Sequence, residues 1–196
     1  MKSGIYVVAT PIGNLNDISS RALEVLQNAD VIACEDTRVT KKLFSLLGLG
    51  LKKTFVTLHD HNEEEQAQKL IDMVNRGQSI AQVSDAGCPL ISDPGYKLIK
   101  RCREQGVAVT TIPGPCALIC ALQLSGLPTN SFMFAGFIPN KDTRKVWRQV
   151  CVITPKRAST KIMARLAVEP PVIILRVYCS CPGVSAIINL RLFVEK

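Results

Sequence analysis

Side chains that can activate a hydroxyl or hold a phosphate are concentrated in a few short polar segments of the chain. The candidate catalytic residues among them are Glu35, Asp36, Arg38, His61 and Asp85. A carboxylate or an imidazole can take a proton from a nucleophile in the transition state, which typically contributes about 10²- to 10⁴-fold to a rate. A guanidinium can hold a phosphate through paired hydrogen bonds. These residue types suit the activation of a hydroxyl on a phosphate-bearing substrate, and they leave open which residue is the base.

Each candidate also has a purely structural interpretation. Asp36 is equally suited to cap the helix that follows it. Arg38 can form an ion pair with Glu35 or with Asp36. Asp85 and Asp93 flank one loop, and either of them can simply hold its turn.

The segment HDHNE carries both histidines of the sequence. We expect it to form a polar rim for the substrate together with the EDTR segment, and the candidate substrate-binding residues are Arg38, His59, His61, Asn62 and Glu63. Two histidines at this spacing could instead suggest a metal, and residues 63–65 could simply be acids that favour a helix N-terminus. Asp60 and Glu63 beside the histidines favour a polar substrate rim over a metal site. The pair Cys179 and Cys181 has no second Cys or His pair nearby, so we predict no metal.

Strand-like apolar runs alternate with helix-like segments along the first 140 residues. The predicted strands are residues 5–9, 31–34, 54–58, 79–83 and 107–112, and the predicted helices are residues 19–29, 40–47, a segment ending at 75, 96–103 and a segment ending at 124. This alternation predicts an α/β fold with a mostly parallel five-stranded sheet and helices on both faces. Each polar segment follows one strand, and the carboxyl edge of such a sheet is its usual ligand site.

The basic charge of the chain is confined to its last part. Residues 1–140 hold 13 Lys and Arg against 13 Asp and Glu, whereas residues 141–196 hold 11 against 3, so the second segment accounts for the formal net charge of +8. We interpret this change as the mark of a truncation or frameshift; the competing hypothesis is a natural short form whose basic tail binds RNA phosphates. The predicted divisions are an α/β domain, a hinge and an incomplete or aberrant second domain, at residues 1–126, 127–142 and 143–196.

Composition favours a protein that packs a core in the cytosol. Hydrophobic residues make up 47% of the chain, yet no apolar run approaches the roughly 20 residues of a membrane helix. The N-terminus lacks the longer apolar region of a signal peptide. Cys34, Cys102 and Cys120 lie in apolar runs, where a reduced cysteine packs as a small hydrophobe. We therefore expect a cytoplasmic protein that makes no membrane contact.

Six segments form an ordered series along residues 4 to about 141. They are VVATPIGNLNDIS, ACEDTR, LHDHNE, VSDAGCPLISDPGY, PGPCA and SGLPTNSFMFAGFIP. In order and spacing they resemble motifs of the tetrapyrrole (corrin/porphyrin) methylase superfamily, and in particular of its branch that methylates a cytidine ribose 2'-hydroxyl in 16S rRNA. The resemblance implies a two-domain α/β enzyme that binds S-adenosylmethionine between its domains and acts on the RNA of the small ribosomal subunit.

Two alternatives to this activity stay open. One is a methylase of tetrapyrrole precursors on the same fold, because composition and spacing do not identify the acceptor. The other is a non-catalytic fold remnant or RNA-binding module that keeps only the first domain. A homodimer is a possible assembly, since the superfamily is commonly dimeric.

The resemblance also implies which residues contact the cofactor. TPIGN resembles the first glycine-rich motif of the superfamily, GCPLI resembles its Gly-Asp-Pro motif, and PGPCA resembles a further cofactor segment. The implied cofactor-binding residues are Pro11, Ile12, Gly13, Asp85, Gly87, Cys88, Pro89, Ile91, Pro115, Cys116 and Ala117. Cys88 stands where this family usually has Thr. Because a thiol is a poorer hydrogen-bond partner than a hydroxyl, we expect a weaker cofactor contact there.

Overall fold

The computed structural model describes residues 1–59 and 61–125, together with Thr129, Phe132 and Phe134. Residues 1–116 belong to one compact unit, and Ala117 begins a second. Apart from those three positions, the predicted hinge and the predicted tail from residue 143 onward lie outside the described residues.

Strands and α-helices alternate throughout the described part of the chain, as the sequence predicts. In chain order the elements are β1 (Gly4–Val8), α1 (Ser20–Asn28), β2 (Val31–Cys34), α2 (Thr37–Leu46), β3 (Thr54–Thr57), α3 (Glu63–Asn75), β4 (Ser79–Val83), α4 (Tyr96–Glu104), β5 (Val109–Ile112) and α5 (Ala117–Leu124). The five strands form one sheet in the order β3-β2-β4-β1-β5, and every pairing is parallel. The predicted five-stranded parallel sheet is confirmed.

Helices cover both faces of this sheet because alternate strand residues point to opposite sides. On one face, Leu26 of α1 and Phe44 of α2 pack with Ile32 of β2 in a buried cluster. On the other face, Leu70 of α3 and Leu98 of α4 belong to a second buried cluster with residues of β1 and β4. The sheet is therefore buried on both sides, and its strand ends are left to carry loops.

Two helix starts show how local chemistry sets the element bounds. The Ser19 hydroxyl accepts a hydrogen bond from the Ala22 amide at 3.1 Å, so α1 begins at Ser20, within the predicted range. The Asp36 carboxylate accepts one from the Arg38 amide at 2.8 Å and caps α2. As a result α2 begins at Thr37, three residues before the predicted start.

The cysteines of the described residues carry free thiols. Cys34 and Cys102 are buried, as the apolar runs predict, and burial raises the pKa of each thiol to about 11. Cys120 differs from that expectation because it is exposed. None of the helices in the described ranges is long and apolar enough to cross a membrane.

Candidate active site

The loops after β1 and β4 are joined by a pair of backbone hydrogen bonds. The Thr10 amide donates to the Gly87 carbonyl at 2.9 Å, and the Gly87 amide donates back to the Thr10 carbonyl at 3.1 Å. Gly87 has a φ of +80°, and a Cβ at this position would lie 3.2 Å from the Ile12 side chain. Glycine therefore meets both a backbone and a space requirement at the point where TPIGN and GCPLI meet.

The loop after β5 closes onto the same place. The Cys88 thiol donates to the Pro115 carbonyl at 3.4 Å, and it lies close enough to the Cys116 thiol to interact with it. Burial raises the pKa of Cys88 to about 11, with Cys116 adding to the shift. We call the meeting point of these three loops the loop floor: residues 10–13, 87–89 and 114–116.

The loop after β2 reaches the loop floor through a carboxylate. The Asp36 amide donates to Asp85 Oδ1 at 3.3 Å, which links EDTR to the β4 loop. The Asp36 carboxylate in turn holds the Arg38 guanidinium, whose Nη2 lies 2.6 Å from Oδ2. Hydrogen bonds from Arg38 lower the pKa of Asp36 to about 2. The structural interpretations of Asp36 as a cap and of Arg38 as its ion-pair partner are both confirmed.

Asp85 has the opposite electrostatic character from its neighbour Asp36. It is half-buried, and desolvation raises the pKa of its carboxyl above the ordinary value. The Asp36 amide opposes this shift and the Asp36 charge adds to it, while the charge of Arg38 lowers the pKa. Burial likewise raises the pKa of Asp93, at the far end of the same loop. These two loops thus hold one carboxyl group with a lowered pKa, Asp36, and two with a raised pKa, Asp85 and Asp93.

The loop after β3 contributes two exposed histidines and two side chains that bind backbone groups. His59 and His61 are exposed, with ring centroids 6.2 Å apart. Asn62 closes the turn, because its Oδ1 accepts from the His59 amide and its Nδ2 donates to the Thr57 carbonyl. Glu63 is only 4% exposed, and its Oε1 accepts from the Gly95 amide at 2.9 Å and the Lys97 amide at 2.6 Å. Glu63 therefore ties α3 to the start of α4.

All five strand-end loops lie at the carboxyl edge of one parallel sheet, as the sequence predicts. A family model described as Tetrapyrrole (Corrin/Porphyrin) Methylases matches residues 4–174 of the chain. The chain belongs to the tetrapyrrole methylase family.

Curated relatives of this tetrapyrrole methylase carry one name. Proteins from Vibrio cholerae serotype O1 and Escherichia coli O157:H7, each called ribosomal RNA small subunit methyltransferase I, are 58% and 53% identical over 137 residues. Both alignments cover 70% of this chain and 47% of the relative, so the chain spans about half the length of these curated relatives.

A solved structure supports the fold assignment. The X-ray structure of cobalt precorrin-4 methyltransferase, a cobalamin biosynthetic enzyme, aligns with a TM-score of 0.50 at 18% sequence identity. The alignment covers 70% of this chain and 61% of that one. At this identity the likeness concerns the fold of the methylase and not its substrate.

The structure places eight of the eighteen predicted site residues in the loop floor, and the other ten lie outside it. Ile91 is 51% exposed beside it, and Glu35 is exposed in the β2 loop. His59 and His61 follow β3, which lies two strands from β4, or roughly 10 Å at the usual strand spacing. Ala117 is the first residue of the second compact unit. No group of three or more His, Cys, Asp or Glu side chains suited to a metal occurs in the described ranges.

Sequence reasoning missed one residue that shapes the site. Gln82 lies 1% exposed in β4, and its Nε2 donates to the Pro94 carbonyl at 3.1 Å. A Cβ on Gly95 would collide with the same amide group, so Gly95, with a φ of +125°, has to be glycine. The available signal was a single polar residue inside the apolar strand SIAQV. Gln82 therefore anchors the loop that carries Asp85 to strand β4.

Glu63 provides a test of how the methylase holds this loop in place. We expect Glu63→Ala to lower the free energy of unfolding by about 1–3 kcal/mol, because one buried and one partly buried amide at the start of α4 lose their acceptor. Glu63→Gln keeps an acceptor oxygen, and we expect it to lose less. Urea denaturation measures both changes.

Glu65→Ala is the matched control for this experiment. Glu65 is exposed two residues further along the same helix, and within the described residues its ion pair is with Lys69 across one turn. Its truncation should leave the denaturation midpoint nearly unchanged. Equal losses for the Glu63 and Glu65 variants would show that the α4 amides do not depend on Glu63.

Proposed function

We propose that this chain carries the cofactor-binding part of an S-adenosylmethionine-dependent methyltransferase that modifies the 2'-hydroxyl of a cytidine ribose in 16S rRNA. The names of the curated relatives support the RNA substrate. The family match supports methyl transfer. The observation that carries the proposal is the convergence of three strand-end loops on the loop floor through the Thr10 and Gly87 backbone pair. The proposed partner is the small ribosomal subunit in the cytoplasm, and a homodimer stays a prediction.

The residues of the loop floor suit S-adenosylmethionine in chemical character. At Gly87 the missing side chain leaves room for Ile12, so the two loops pack closely. Ile12 and Cys88 are only partly buried, and Ile91 is half-exposed, which leaves apolar surface for an adenine ring or a methionine chain. We propose that these residues hold the cofactor, with the other floor residues Pro11, Gly13, Pro89, Pro115 and Cys116 completing the contact.

The substitution of Cys for Thr at position 88 changes one contact in this proposal. The Cys88 thiol donates to the Pro115 carbonyl, so it serves the loop floor itself. The thiol is therefore engaged with the protein and offers a bound cofactor little hydrogen bonding. We expect the affinity to come mainly from the backbone and from apolar contact.

Asp85 is the proposed general base. When bound, S-adenosylmethionine supplies a methyl group on a sulfonium sulfur that an aligned oxygen can displace. The half-buried Asp85 carboxylate can accept the proton of that hydroxyl, and its raised pKa makes it a stronger base than an exposed aspartate. The rest of the acceleration comes from holding the acceptor oxygen in line at about 3 Å.

The other predicted catalytic and substrate residues take supporting roles. The Arg38 side chain is 90% exposed but is oriented by two contacts to Asp36, which suits it to hold an RNA phosphate. His59, His61 and Asn62 form the outer rim on the β3 side. Glu63 is engaged with the α4 amides, so we propose no substrate contact for it.

Binding and transfer test this function directly. We expect the full chain to bind S-adenosylmethionine in calorimetry and to transfer a tritiated methyl group to 16S rRNA in small subunits, with 2'-O-methylcytidine as the digestion product. Gly87→Ala should weaken cofactor binding by about tenfold or more, because the new methyl group lies against Ile12 in the loop floor.

Gly77→Ala is the control for backbone strain. Gly77 also has a positive φ, of +92°, but a Cβ there meets nothing within 4 Å, and the turn precedes β4 at the opposite end of the sheet. Its cofactor affinity should match that of the unmodified chain. No heat at high micromolar S-adenosylmethionine would contradict the proposal and favour a non-catalytic remnant or RNA-binding module. Transfer to a tetrapyrrole precursor instead would refute the RNA substrate.

The pKa of Asp85 gives a second test. We expect Asp85→Asn to lower the methyl-transfer rate by about 10²- to 10⁴-fold with little change in cofactor affinity. In the unmodified chain the rate should fall as the pH drops through the raised pKa of Asp85, because the base must be deprotonated.

Asp85→Asn should raise the stability of the fold although it lowers the methyl-transfer rate. A carboxyl whose pKa is raised by folding favours the folded state below its unfolded pKa and loses that contribution as the pH rises. Asp85→Asn should therefore unfold at a higher temperature at neutral pH. Burial also raises the pKa of Asp93 in the same loop. Asp93→Asn should therefore show the same stabilisation but keep the methyl-transfer rate. Equal rate losses in the two variants would exclude a special role for Asp85.

A further inference from the structure

One segment of the first 125 residues carries a local excess of positive charge. Residues 37–53 contain five basic side chains and no Asp or Glu: Arg38, Lys41, Lys42, Lys52 and Lys53. Residues 1–140 are balanced overall at 13 basic against 13 acidic side chains, so this segment stands out from its surroundings. Helix α2 supplies three of the five.

These three cations lie on the solvent side of α2. Positions 38, 41 and 42 are related by three and four residues, which places them on one side of a helix. All three residues are exposed, whereas Leu43 and Phe44 are buried against the sheet. We call this surface the α2 basic face: Arg38, Lys41 and Lys42.

Within the described part of the chain, carboxylates pair with four of the five Lys and Arg side chains of α3 and α4, Arg103 being the exception, but with one of the three cations of the α2 basic face. In the described residues, Lys69, Lys97, Lys100 and Arg101 each lie within 4.0 Å of a carboxylate oxygen of α3 or α4. On α2, only Arg38 has such a pair, and its side chain remains 90% exposed. The α2 basic face on one side of the sheet therefore differs from α3 and α4 on the other side, where most cations are paired with acids.

Two further contacts fix the α2 basic face in position. The Lys41 Nζ lies 5.3 Å from the centroid of the Phe55 ring of β3, which orients the ammonium over an aromatic face. Asp36, the cap of α2, is hydrogen-bonded through its amide to Asp85. The face therefore starts at the rim of the candidate site and extends from position 38 to position 42 of α2, or about 6 Å along the helix axis.

We propose that the α2 basic face binds the phosphates of a single-stranded RNA segment that leads into the candidate site. This inference rests on the proposed function, which makes RNA the substrate. A row of cations without acids matches a polyanion, and phosphate contacts position a strand without selecting its sequence. We expect the RNA segment to be single-stranded, because a nucleotide has to be splayed out of an RNA helix before its ribose hydroxyl can reach the proposed general base Asp85.

RNA affinity as a function of salt tests the inference. The probe is a short fluorescently labelled oligocytidylate, and the protein is the full chain and its Lys41→Gln/Lys42→Gln variant. For single strands each phosphate contact contributes about 0.7 to the slope of log affinity against log salt. Loss of two contacts should lower the slope by about 1.4 and reduce the affinity change between about 50 and 200 mM salt by about sevenfold.

The control variant is Lys100→Gln/Arg103→Gln, which removes the same charge from exposed positions of α4 on the other face of the sheet. It should bind RNA with the slope of the unmodified chain. Both variants should keep the affinity for S-adenosylmethionine and the thermal midpoint within error, which confirms that the loss is specific to RNA.

Several outcomes would overturn the proposal. Equal losses in the salt slope for both variants would mean that RNA affinity depends only on the net charge of the chain. No loss in either variant, with RNA still bound and methylated, would place the contact elsewhere, for example in the basic residues 141–196, and would leave the proposed function intact. Absence of RNA binding by the unmodified chain would overturn both. Binding of the α2 basic face to anionic vesicles but not to oligocytidylate would refute RNA as its partner.

Discussion

The candidate site depends on the pair of backbone hydrogen bonds between Thr10 and Gly87. Strands β1 and β4 are neighbours in the sheet, and this pair continues their association into the loops beyond the last paired residues. The Cys88 thiol then adds the β5 loop through the Pro115 carbonyl. Backbone groups make the central contact, and Gly87 leaves room there for Ile12. Three loops of different sequence thereby become one surface.

The electrostatics of the site follow from the different surroundings of two carboxyl groups. Asp36 caps α2, and hydrogen bonds from Arg38 lower its pKa to about 2. Asp85 is half-buried behind it, and desolvation raises its pKa. Environments that separate the pKa values of adjacent acids are how enzymes assign different roles to the same residue type. We propose that Asp36 caps α2 and orients Arg38, whereas Asp85 accepts the proton.

Much of the fold could be predicted from the sequence because the apolar runs of β2 and β4 are short, bounded and rich in β-branched residues. Their bounds were predicted to the residue. The strand order could not be predicted in the same way, since periodicity reports local structure and says nothing of which strands become neighbours. The Thr10 and Gly87 pair depends on β1 lying next to β4, and only the tertiary structure reveals that.

The loops that form the candidate site could be predicted from the sequence, but the roles of individual residues in it could not. The polar segments had to meet at the carboxyl edge of a parallel sheet, so residues of TPIGN and GCPLI were found together. The work done by Glu63 could not be foreseen, because its partners are amides more than 30 positions away. Gln82 was hidden for the same reason: its contacts to Pro94 and Gly95 arise only when the loop folds back over β4.

Amide chemical shifts in a titration with S-adenosylmethionine test the loop floor most directly, because they report position without requiring catalysis. The largest changes should fall at Ile12, Gly87 and Cys116, on three separate loops, and should saturate with a single affinity. Changes concentrated at Gly77 and Gly106, in the turns at the opposite end of the sheet, would contradict a cofactor floor built on the Thr10 and Gly87 pair.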